Sequence, residues 1–250
     1  MNEKVLDRIN NGNEWYVYEQ LLSLNNPRQA RVIKNRWKFF DKVLAQKHAE
    51  CGGRKLKLLD AGCGDGINLT YFTSKDFLEV HACDYNPLRV ERVREKFAGL
   101  QVSQQDLTKL DLPSDNFDVI LCSQVLEHIP EDEKAIANLV KYLAPDGILI
   151  LGVPNEGCFF ARLRNNVLEP RIARETDHVN FYTYDKFLGK VENAGFRLKD
   201  CFFEGFFCPH HRLNDIMGRF GIGYALLEFL RKIIPSQCAG FYMTFERENE

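Results

Sequence analysis

A closely spaced run of glycines is the first place in the sequence that could carry chemistry. The stretch LLDAGCGDGINLT, residues 58–70, has glycine at every second position from Gly62 through Gly64 to Gly66, directly after an apolar run. Glycine permits a positive φ and has no Cβ to hold a ligand away from the backbone. A strand, such a loop and a helix N-terminus together point backbone N–H groups at a bound nucleotide. The run alone is a weak signal, because Ile67 stands where the dinucleotide fingerprint needs its third glycine.

Two aspartates at the ends of the next apolar runs sharpen this signal. Asp84 ends the run in HACDYNP, where a carboxylate can accept hydrogen bonds from both hydroxyls of a ribose. Asp106 ends the run in SQQDL, where a second carboxylate can accept a hydrogen bond from an exocyclic amine such as that of adenine. The glycines and the aspartates together predict a site for a nucleoside.

Two histidines are candidates for acid–base chemistry. His128, in LEHIP, follows a fourth apolar run and could face a reaction centre, cap the next helix or pack structurally. His178, in ETDHVNFY, has Asp177 beside it and could act as a base or make a hydrogen bond that closes a lid. The sequence leaves these alternatives open. His210 and His211 lack an acidic neighbour at ligand spacing, so no metal site is expected there.

Alternating strands and helices must position these residues. Apolar runs predict strands over 55–60, 77–84, 100–106, 117–123 and 148–154. Helical periodicity predicts helices from Ile67, over 87–99 and over 133–143, and APDG predicts a turn at 144–147. The alternation and the nearly continuous apolar strands indicate a doubly wound parallel sheet. Ligands of such sheets bind at the carboxyl ends of the strands, where all the residues above lie.

The flanking regions depart from this alternation. Residues 27–44 predict an amphipathic helix that begins at Pro27, within an N-terminal helical cap over residues 1–52. The domain proper is expected over 53–250, with substrate-side insertions at 155–182 and 205–236. A helix over 184–194 and strands over 196–207 and 239–248 are predicted around a helix, or helix pair, at 213–234 that breaks near Gly221 and Gly223.

Composition excludes several classes of protein. The chain has 250 residues, 45% hydrophobic and 27% charged, with a formal net charge of −2, so no overall basic field predicts a nucleic-acid partner. The sequence has no apolar run of about 20 residues, so no transmembrane helix is expected. The eight cysteines form no C-x-x-C pair and several lie in apolar runs, which favours reduced cysteines and a cytoplasmic location.

Two segments, one rich in basic residues and one with an apolar helical face, each allow two interpretations. Residues 28–42 hold six lysines and arginines against Asp41, which suits either a phosphate or nucleic-acid stripe or a solvated helix face, and the latter is favoured. The apolar face over 213–234 suits core or cap packing first. A lipidic substrate or a membrane surface is the second interpretation, because the polar face of this segment has few lysines and arginines.

The motifs taken together resemble the class I S-adenosylmethionine-dependent methyltransferases. The resemblance rests on LLDAGCGDG, DYNP, QQDLTKLDLPSDNFDVILCSQVLEHI and LAPDGILILGVPN, and it covers about residues 55–155 closely. The later HVNFYTYDKFLGKVENAGF is also similar to this group. It implies a Rossmann-like α/β fold with a seven-stranded, mostly parallel sheet whose last strand runs antiparallel. It also implies that S-adenosylmethionine is bound and S-adenosylhomocysteine is the product.

The resemblance also implies a role for individual residues at the cofactor. Asp60, Gly62 and Gly64 would lie against its methionine and ribose part. The other implied cofactor contacts are Asp84 on the ribose, Tyr85 beside the adenine, Asp106 on the adenine amine, Leu107 next to it, and Ser123 and Gln124 at the end of the fourth strand. A basic residue of the N-terminal helix, Arg36 or Arg31, would contact the cofactor carboxylate. Glu127 is expected to be structural, and His128 and His178 remain the catalytic candidates without any metal.

The predicted activity is methyl transfer to a small-molecule acceptor, at oxygen first and at nitrogen second. Transfer from a sulfonium is an in-line displacement that depends mainly on alignment, and a hydroxyl acceptor gains from a base. A nicotinamide oxidoreductase is disfavoured by Ile67 and Asp106. The alternative from another class is a catalytically silent methyltransferase fold that binds the cofactor or a partner. The sequence predicts neither the acceptor nor the oligomeric state.

Overall fold

A seven-stranded sheet carries the residues described above. The computed structural model describes residues 19–113, 115–171 and 177–248. Its strands are β1 (Leu56–Ala61), β2 (Leu78–Asp84), β3 (Gln101–Gln104), β4 (Phe117–Ser123), β5 (Leu143–Pro154), β6 (Phe196–Phe206) and β7 (Cys238–Arg247). They pair in the order β3-β2-β1-β4-β5-β7-β6.

The pairing confirms the predicted Rossmann-like topology. β1 to β5 pair in parallel, whereas β7 is antiparallel to both of its neighbours, β5 and β6. The carboxyl ends of the parallel strands therefore meet at one edge of the sheet, and β6 ends at the same edge because two antiparallel steps restore its direction. This edge collects Asp84, Ser123 and the glycine loop.

The turn predicted at 144–147 is wrong. β5 already begins at Leu143, which pairs with Phe117, and the next pair joins Ile148 to Val119. Four residues of β5 thus face a single residue of β4, so the APDG segment forms a four-residue bulge within the strand. Its glycine is needed for packing, because a Cβ on Gly147 would overlap the side chain of Leu143 and the carbonyl oxygen of Phe117.

Helices cover both faces of the sheet. They are α1 (Pro27–Glu50), α2 (Ile67–Phe72), α3 (Pro87–Lys96), α4 (Asp132–Tyr142), α5 (Phe159–Leu163), α6 (Tyr184–Glu192), α7 (His211–Arg219) and α8 (Gly221–Ile233). The predicted pair at 213–234 is present, with its break between Arg219 and Gly221. Within the described part of the chain, every helix is too short or too polar to cross a bilayer.

α1 begins as the sequence predicts and ends later. The side chain of Asn26 accepts hydrogen bonds from the N–H groups of Arg28 and Gln29, which caps the helix before Pro27. The helix then continues to Glu50, beyond the predicted end at 44. Residues 1–18 of the expected cap over 1–52 lie outside the described residues, and the division into two domains stays a prediction.

The hydrophobic core has two main layers, one on each face of the sheet. One layer joins α1 to the sheet through Phe40, Leu44, Leu58 and Tyr242. The opposite layer joins α4 and α6 to the sheet, with α6 contributing Phe187. β7 supplies both layers, since Tyr242 enters one and its neighbours Phe241 and Met243 enter the other. The site at the strand ends thus rests on a sheet that is packed from both sides.

Candidate functional site

The glycine loop after β1 adopts the conformation that its sequence predicts. Gly62, Gly64 and Gly66 have φ values of 82°, 56° and 86°, a region that favours glycine. The N–H of Gly62 donates to the carbonyl of Cys83 at 2.8 Å, which ties the loop to the end of β2. A Cβ on Gly62 would overlap the side chain of Val125. The loop is therefore closed against β2 and against the turn after β4.

Asp84 is the acceptor that organises this loop. Its Oδ2 accepts the N–H of Gly64 and its Oδ1 accepts the N–H of Asn86, both at 2.8 Å. The carboxylate is buried, and burial raises its pKa. An ionised carboxylate has about four lone-pair sites, so each oxygen keeps one more site for a ligand hydroxyl. This arrangement fits the two hydroxyls of a ribose.

Asp60 is the least satisfied polar group of the site. Its side chain is fully buried, and neither carboxyl oxygen has a hydrogen-bond partner in the described part of the chain. Burial and the neighbouring charge of Asp84 raise the pKa of Asp60 to about 7, although Arg36 opposes this shift. A buried carboxyl without a donor is costly unless a ligand supplies one. A cationic ammonium, such as that of a bound amino acid, would satisfy it.

Arg36 lies close enough to Asp60 to influence its charge, but its planar fork is already paired. Nε and Nη2 donate to the two carboxylate oxygens of Glu204 at 2.8 and 2.9 Å. The guanidinium also lies over the ring of Tyr242 at 4.7 Å, and the hydroxyl of Tyr242 is 2.8 Å from Ser123 Oγ. The two N–H groups of Nη1 and the second N–H of Nη2 remain for a ligand carboxylate. Arg31, the other candidate, instead lies over the ring of Tyr224.

The residues predicted at the adenine lie at the ends of β2 and β3. Asp106 caps a single turn of 3-10 helix, since its Oδ1 accepts the N–H and the hydroxyl of Thr108. Leu107 is buried in that turn. The hydroxyl of Tyr85 has no hydrogen-bond partner among the described residues, and burial together with the charge of Asp106 raises its pKa. Asp106 therefore lies close enough to Tyr85 to influence its hydroxyl.

Gln124 marks the turn after β4 as strained. It is one of two non-glycine residues with a positive φ in the described chain, at 56°. Its amide Nε2 is buried without a partner among the described residues. Positive φ values outside glycine are uncommon and concentrate at functional sites. The turn thus presents an unpaired donor beside Ser123, as expected of a ligand-lining residue.

The two candidate histidines lie together, in contact with a carboxylate that the sequence analysis missed. The rings of His128 and His178 meet edge to face, with centroids 4.8 Å apart. His178 Nδ1 is 2.6 Å from Glu156 Oε2, and Arg164 Nη2 is 3.3 Å from Glu156 Oε1. Glu156 is therefore the partner of His178 at hydrogen-bond distance. Glu156 lies two residues beyond the end of β5, whereas Asp84 is the last residue of β2, so a carboxylate close to a strand end was the only signal that the sequence offered.

The electrostatics distinguish the two histidines. Burial, followed by the neighbouring charge of His178, lowers the pKa of His128 to about 3, so its imidazole is neutral. Burial also opposes the charged form of His178, but the hydrogen bond and the charge of Glu156 outweigh it and raise the pKa of His178. The same pairing lowers the pKa of Glu156 against the effect of burial. His178 and Glu156 thus form a partly buried imidazole and its ionised partner.

Arg89 lies near both the histidines and the residues predicted to bind the cofactor. Its charge lowers the pKa of Asp84 and also that of His128, so the guanidinium lies near both groups. The Nε of Arg89 is buried without a hydrogen-bond partner among the described residues. The two predicted groups of residues therefore belong to one region at the carboxyl edge of the sheet.

Glu127 joins the histidine group and widens what the group could bind. Burial raises its pKa to about 7, and its Oε2 has no partner among the described residues. One ligand atom each from Glu127, His128 and His178 lie within 4.8 Å of one another, a spacing that a divalent cation could bridge. The backbone carbonyl oxygen of Glu127 accepts hydrogen bonds from the N–H groups of Val179 and Asn180, which holds the chain around His178 in place.

Two further residues at the site have no sequence signal. Gln20 lies in a 3-10 turn before α1, where its N–H donates to Asp65 Oδ2 at 2.7 Å and its Oε1 accepts the N–H of Asp65 at 3.2 Å. The side chain of Gln20 thereby covers Gly64. Glu204, on β6, holds Arg36 across a long sequence separation. Both contacts depend on tertiary packing that local sequence does not encode.

Comparison with known proteins identifies the domain. A family model described as a methyltransferase domain matches residues 29–200. A probable S-adenosylmethionine-dependent methyltransferase of Mycolicibacterium smegmatis is 27% identical over 168 residues, 67% of this chain and 62% of the relative. A probable enzyme of the same description from Mycobacterium tuberculosis is 30% identical over 144 residues, 57% of this chain and 51% of the relative. The chain thus spans between half and two thirds of these relatives.

Relatives with a stated acceptor match a shorter stretch. The ubiquinone biosynthesis O-methyltransferase of Rickettsia conorii is 34% identical over 104 residues, which is 40% of this chain and 36% of that protein. Among solved structures, magnesium protoporphyrin IX methyltransferase from Synechocystis, with bound S-adenosylhomocysteine, has a TM-score of 0.56 at 18% identity, covering 88% of this chain and 87% of that one. The [4+2]-cyclase SpnF has a TM-score of 0.54 at 18% identity, covering 79% and 76%. These structures share the fold.

Proposed function

The chain belongs to the methyltransferase domain family, and we propose that it transfers a methyl group from S-adenosylmethionine to an oxygen atom of a small-molecule acceptor. The observation that carries the choice of oxygen is the partly buried pair of His178 and Glu156, with 2.6 Å between Nδ1 and Oε2. A hydroxyl must lose its proton as it is methylated, whereas an amine only has to arrive neutral. A base with its own carboxylate is therefore most useful for an oxygen acceptor.

The described residues fit the cofactor on their own chemistry. The unpaired carboxyl of Asp60 suits the α-ammonium, the free lone pairs of Asp84 suit the ribose hydroxyls, and Asp106 with Tyr85 suits the adenine. The N–H groups of Arg36 that Glu204 leaves unused, on Nη1 and Nη2, suit the cofactor carboxylate. When bound, the cofactor supplies a methyl group activated by a positively charged sulfur. The loop residues then serve to orient it and exclude water.

His178 is proposed as the base and His128 as its positioning residue. The pKa of Glu156 is lowered, so its ionised Oε2 accepts the Nδ1–H of His178 and leaves Nε2 to take the proton of an acceptor hydroxyl. Glu156 then stabilises the imidazolium that forms. The pKa of His128 is too low for it to hold a proton near neutrality, so its ring restrains that of His178 through their edge contact. The relatives named as O-methyltransferases support the oxygen acceptor.

The second candidate is a fold that binds the cofactor without methyl transfer. The structural neighbour described as a [4+2]-cyclase is the observation that favours considering it, because a fold does not determine the chemistry it carries. Such a protein would bind the cofactor or a protein partner and methylate nothing.

The first experiment is isothermal titration calorimetry with S-adenosylhomocysteine. We expect micromolar binding by the wild type and by the control Asp76→Ala, which alters an exposed aspartate. Asp84→Ala should bind at least about a hundredfold more weakly, because two hydrogen bonds to an ionised acceptor are lost. Circular dichroism melting of each variant separates loss of the fold from loss of the site. Equal affinity for Asp84→Ala would contradict the placement of the ribose.

An acceptor screen then tests the chemistry. Hydroxylated aromatic compounds and primary amines are incubated with S-adenosylmethionine, and methylated products are read by mass spectrometry. We expect oxygen methylation by the wild type, and methylation slowed by about 10²- to 10⁴-fold in His178→Gln at unchanged affinity for S-adenosylhomocysteine. Methylation of amines alone would overturn the oxygen acceptor. Cofactor binding without any methylated product, together with a stable protein complex, would favour the silent fold.

A further inference from the structure

The helix pair α7–α8 carries an unusual concentration of exposed apolar side chains. Eight of the fourteen exposed large hydrophobic residues of the described chain lie between 213 and 234. They are Leu213, Ile216, Phe220, Ile222, Leu226, Phe229, Ile233 and Ile234. Ile222 is 89% exposed and Phe220 65%, at the junction of the two helices. Exposed apolar side chains concentrated on one element mark a candidate interaction surface.

The opposite side of the pair is held to the protein by polar contacts with α1. Arg28 Nη1 is 3.1 Å from Asp215 Oδ1, and the hydroxyl of Tyr224 accepts the amide of Asn35 at 3.1 Å. Arg31 lies over the ring of Tyr224 at 4.5 Å. The pair thus has a fixed orientation, with its polar contacts turned inward and its apolar side chains turned to solvent.

The cations around the pair outnumber the acids that could neutralise them. The acids nearby are already paired, Asp215 with Arg28 and Arg219, and Glu228 with Arg231. In contrast, five cations of α1 and the pair have no ion-pair partner among the described residues. They are Arg31, Lys34, Lys38, Arg212 and Lys232. Residues 213–234 contain few lysines and arginines of their own. Three of the five unpaired cations belong to α1, so a helix distant in sequence supplies most of the unpaired positive charge beside the pair.

A cavity of about 520 Å³ lies between α1, β6 and the pair. The side chains of Phe39, Phe202 and Phe206 line it, and Lys38 and Lys232 line it as well. The rings of Phe39 and Phe202 stack at 5.6 Å. Two of the five unpaired cations, Lys38 and Lys232, therefore lie at the edge of this apolar cavity, and both are exposed.

We propose that the α7–α8 pair docks on an anionic lipid bilayer and lies in its interface. Amphipathic helices bind bilayers by burying their apolar face at the acyl boundary while flanking lysines and arginines meet anionic headgroups. Ile222 and Phe229 enter the acyl region, and Lys38 and Lys232 meet the headgroups. The unpaired cations select this occupant, since an apolar groove of a protein partner would leave them without counter-charges. The docking is independent of the proposed methyl transfer.

The test is co-sedimentation of the full chain with vesicles. Vesicles of phosphatidylcholine mixed with phosphatidylglycerol should pull the protein down at low salt, and vesicles of phosphatidylcholine alone should bind it far less. The double variant Ile222→Asp/Phe229→Asp should lose sedimentation. The matched control Ile222→Leu/Phe229→Leu keeps the surface apolar and should sediment like the wild type. Affinity for S-adenosylhomocysteine and the melting temperature, measured on each protein, show that the fold and the cofactor site persist.

A charge variant tests the lipid selectivity separately. Lys38→Gln/Lys232→Gln should lower partition onto the anionic vesicles by about thirtyfold, from roughly 1 kcal/mol for each cation near an anionic surface. Lys96→Gln/Lys186→Gln removes two cations from α3 and α6 instead, and should have little effect. Added salt should weaken binding, because exposed charges are screened.

Three results would overturn the proposal. The first is a wild type that stays in the supernatant with anionic vesicles, and the second is an Ile222→Asp/Phe229→Asp variant that sediments as well as the wild type. The third is light scattering that shows a dimer for the wild type and a monomer for this variant without vesicle binding, which assigns the surface to a second copy of the chain. Vesicle binding without any methyltransferase activity would leave the docking intact and contradict only the proposed function.

Discussion

The substitution Glu156→Gln tests the proposed base most directly. It keeps the size of the side chain and removes the charge that lies 2.6 Å from His178 Nδ1. A hydrogen bond to a charged group contributes about 1.5–3 kcal/mol. If that bond stabilises the imidazolium formed in the transition state, its loss lowers kcat by about 10- to 150-fold. His178→Gln, which removes the base itself, should cost about 10²- to 10⁴-fold.

The pH dependence of kcat gives an independent readout of the same pair. The base must be neutral to accept a proton, so kcat rises as the pH passes the raised pKa of His178. Glu156 is the main group that raises this pKa, with a further contribution from Glu127, while burial and Arg164 lower it. Without the carboxylate, the ascending limb should therefore move to lower pH.

The assay is steady-state methyl transfer across a pH series, with the affinity for S-adenosylhomocysteine measured in parallel. Glu192→Gln, a change at an exposed glutamate, is the control and should leave both quantities unchanged. A Glu156→Gln enzyme with wild-type kcat and an unmoved ascending limb would refute the assignment of His178 as the base. A loss of cofactor affinity equal to the loss of kcat would instead assign the pair to binding.

Three further predictions concern stability. Burial raises the pKa of Asp60 from 3.8 to about 7, so between these pH values the folded state holds a proton that the unfolded state releases. The free energy of unfolding should therefore fall by on the order of 4 kcal/mol from about pH 4 to pH 7. In Asp60→Asn, denaturant titration should show no such fall, and calorimetry should show weaker binding of S-adenosylhomocysteine. Gly62→Ala combines a positive φ with a side-chain overlap, so in denaturant titrations it should lose more stability than Gly99→Ala, which has a positive φ but open space. Arg36→Met leaves Glu204 nearly buried and unpaired, at a cost of about 3–5 kcal/mol, and Arg36→Met/Glu204→Met should recover much of the loss in the same titration.

Local sequence was sufficient for the parts of the fold that depend on local pattern. All seven predicted strands are present, although β5 begins five residues before its predicted start. The central strands β1, β4 and β5 were predictable because strands buried on both faces are largely apolar, whereas the edge strands β3 and β6 are only partly buried. The loop after β1 was predictable because Gly62 and Gly64 have backbone conformations that few other residues adopt. Asp84 was readable because carboxylates at strand ends converge on one edge of a parallel sheet.

The contacts that sequence reasoning missed are tertiary. The APDG segment at 144–147 has the composition of a turn, but pairing with β4 holds it in a strand as a bulge. The partner of His178 is Glu156 across a loop, and only the packed connection after β5 decides this. Likewise Glu204 reaches Arg36 from β6, so the paired state of that arginine could not be foreseen from α1 alone.

The position of β7 in the sheet has a consequence for the order in which the protein can fold. β7 follows every other strand in the sequence, yet it lies between β5 and β6 and pairs with both. Until residues 238–247 leave the ribosome, β6 has no neighbour in the sheet and β5 exposes an open edge. Tyr242 and Phe241 are also missing from the two core layers at that stage. The loops that receive the cofactor are synthesised early, but the sheet that supports them is completed only at the last strand.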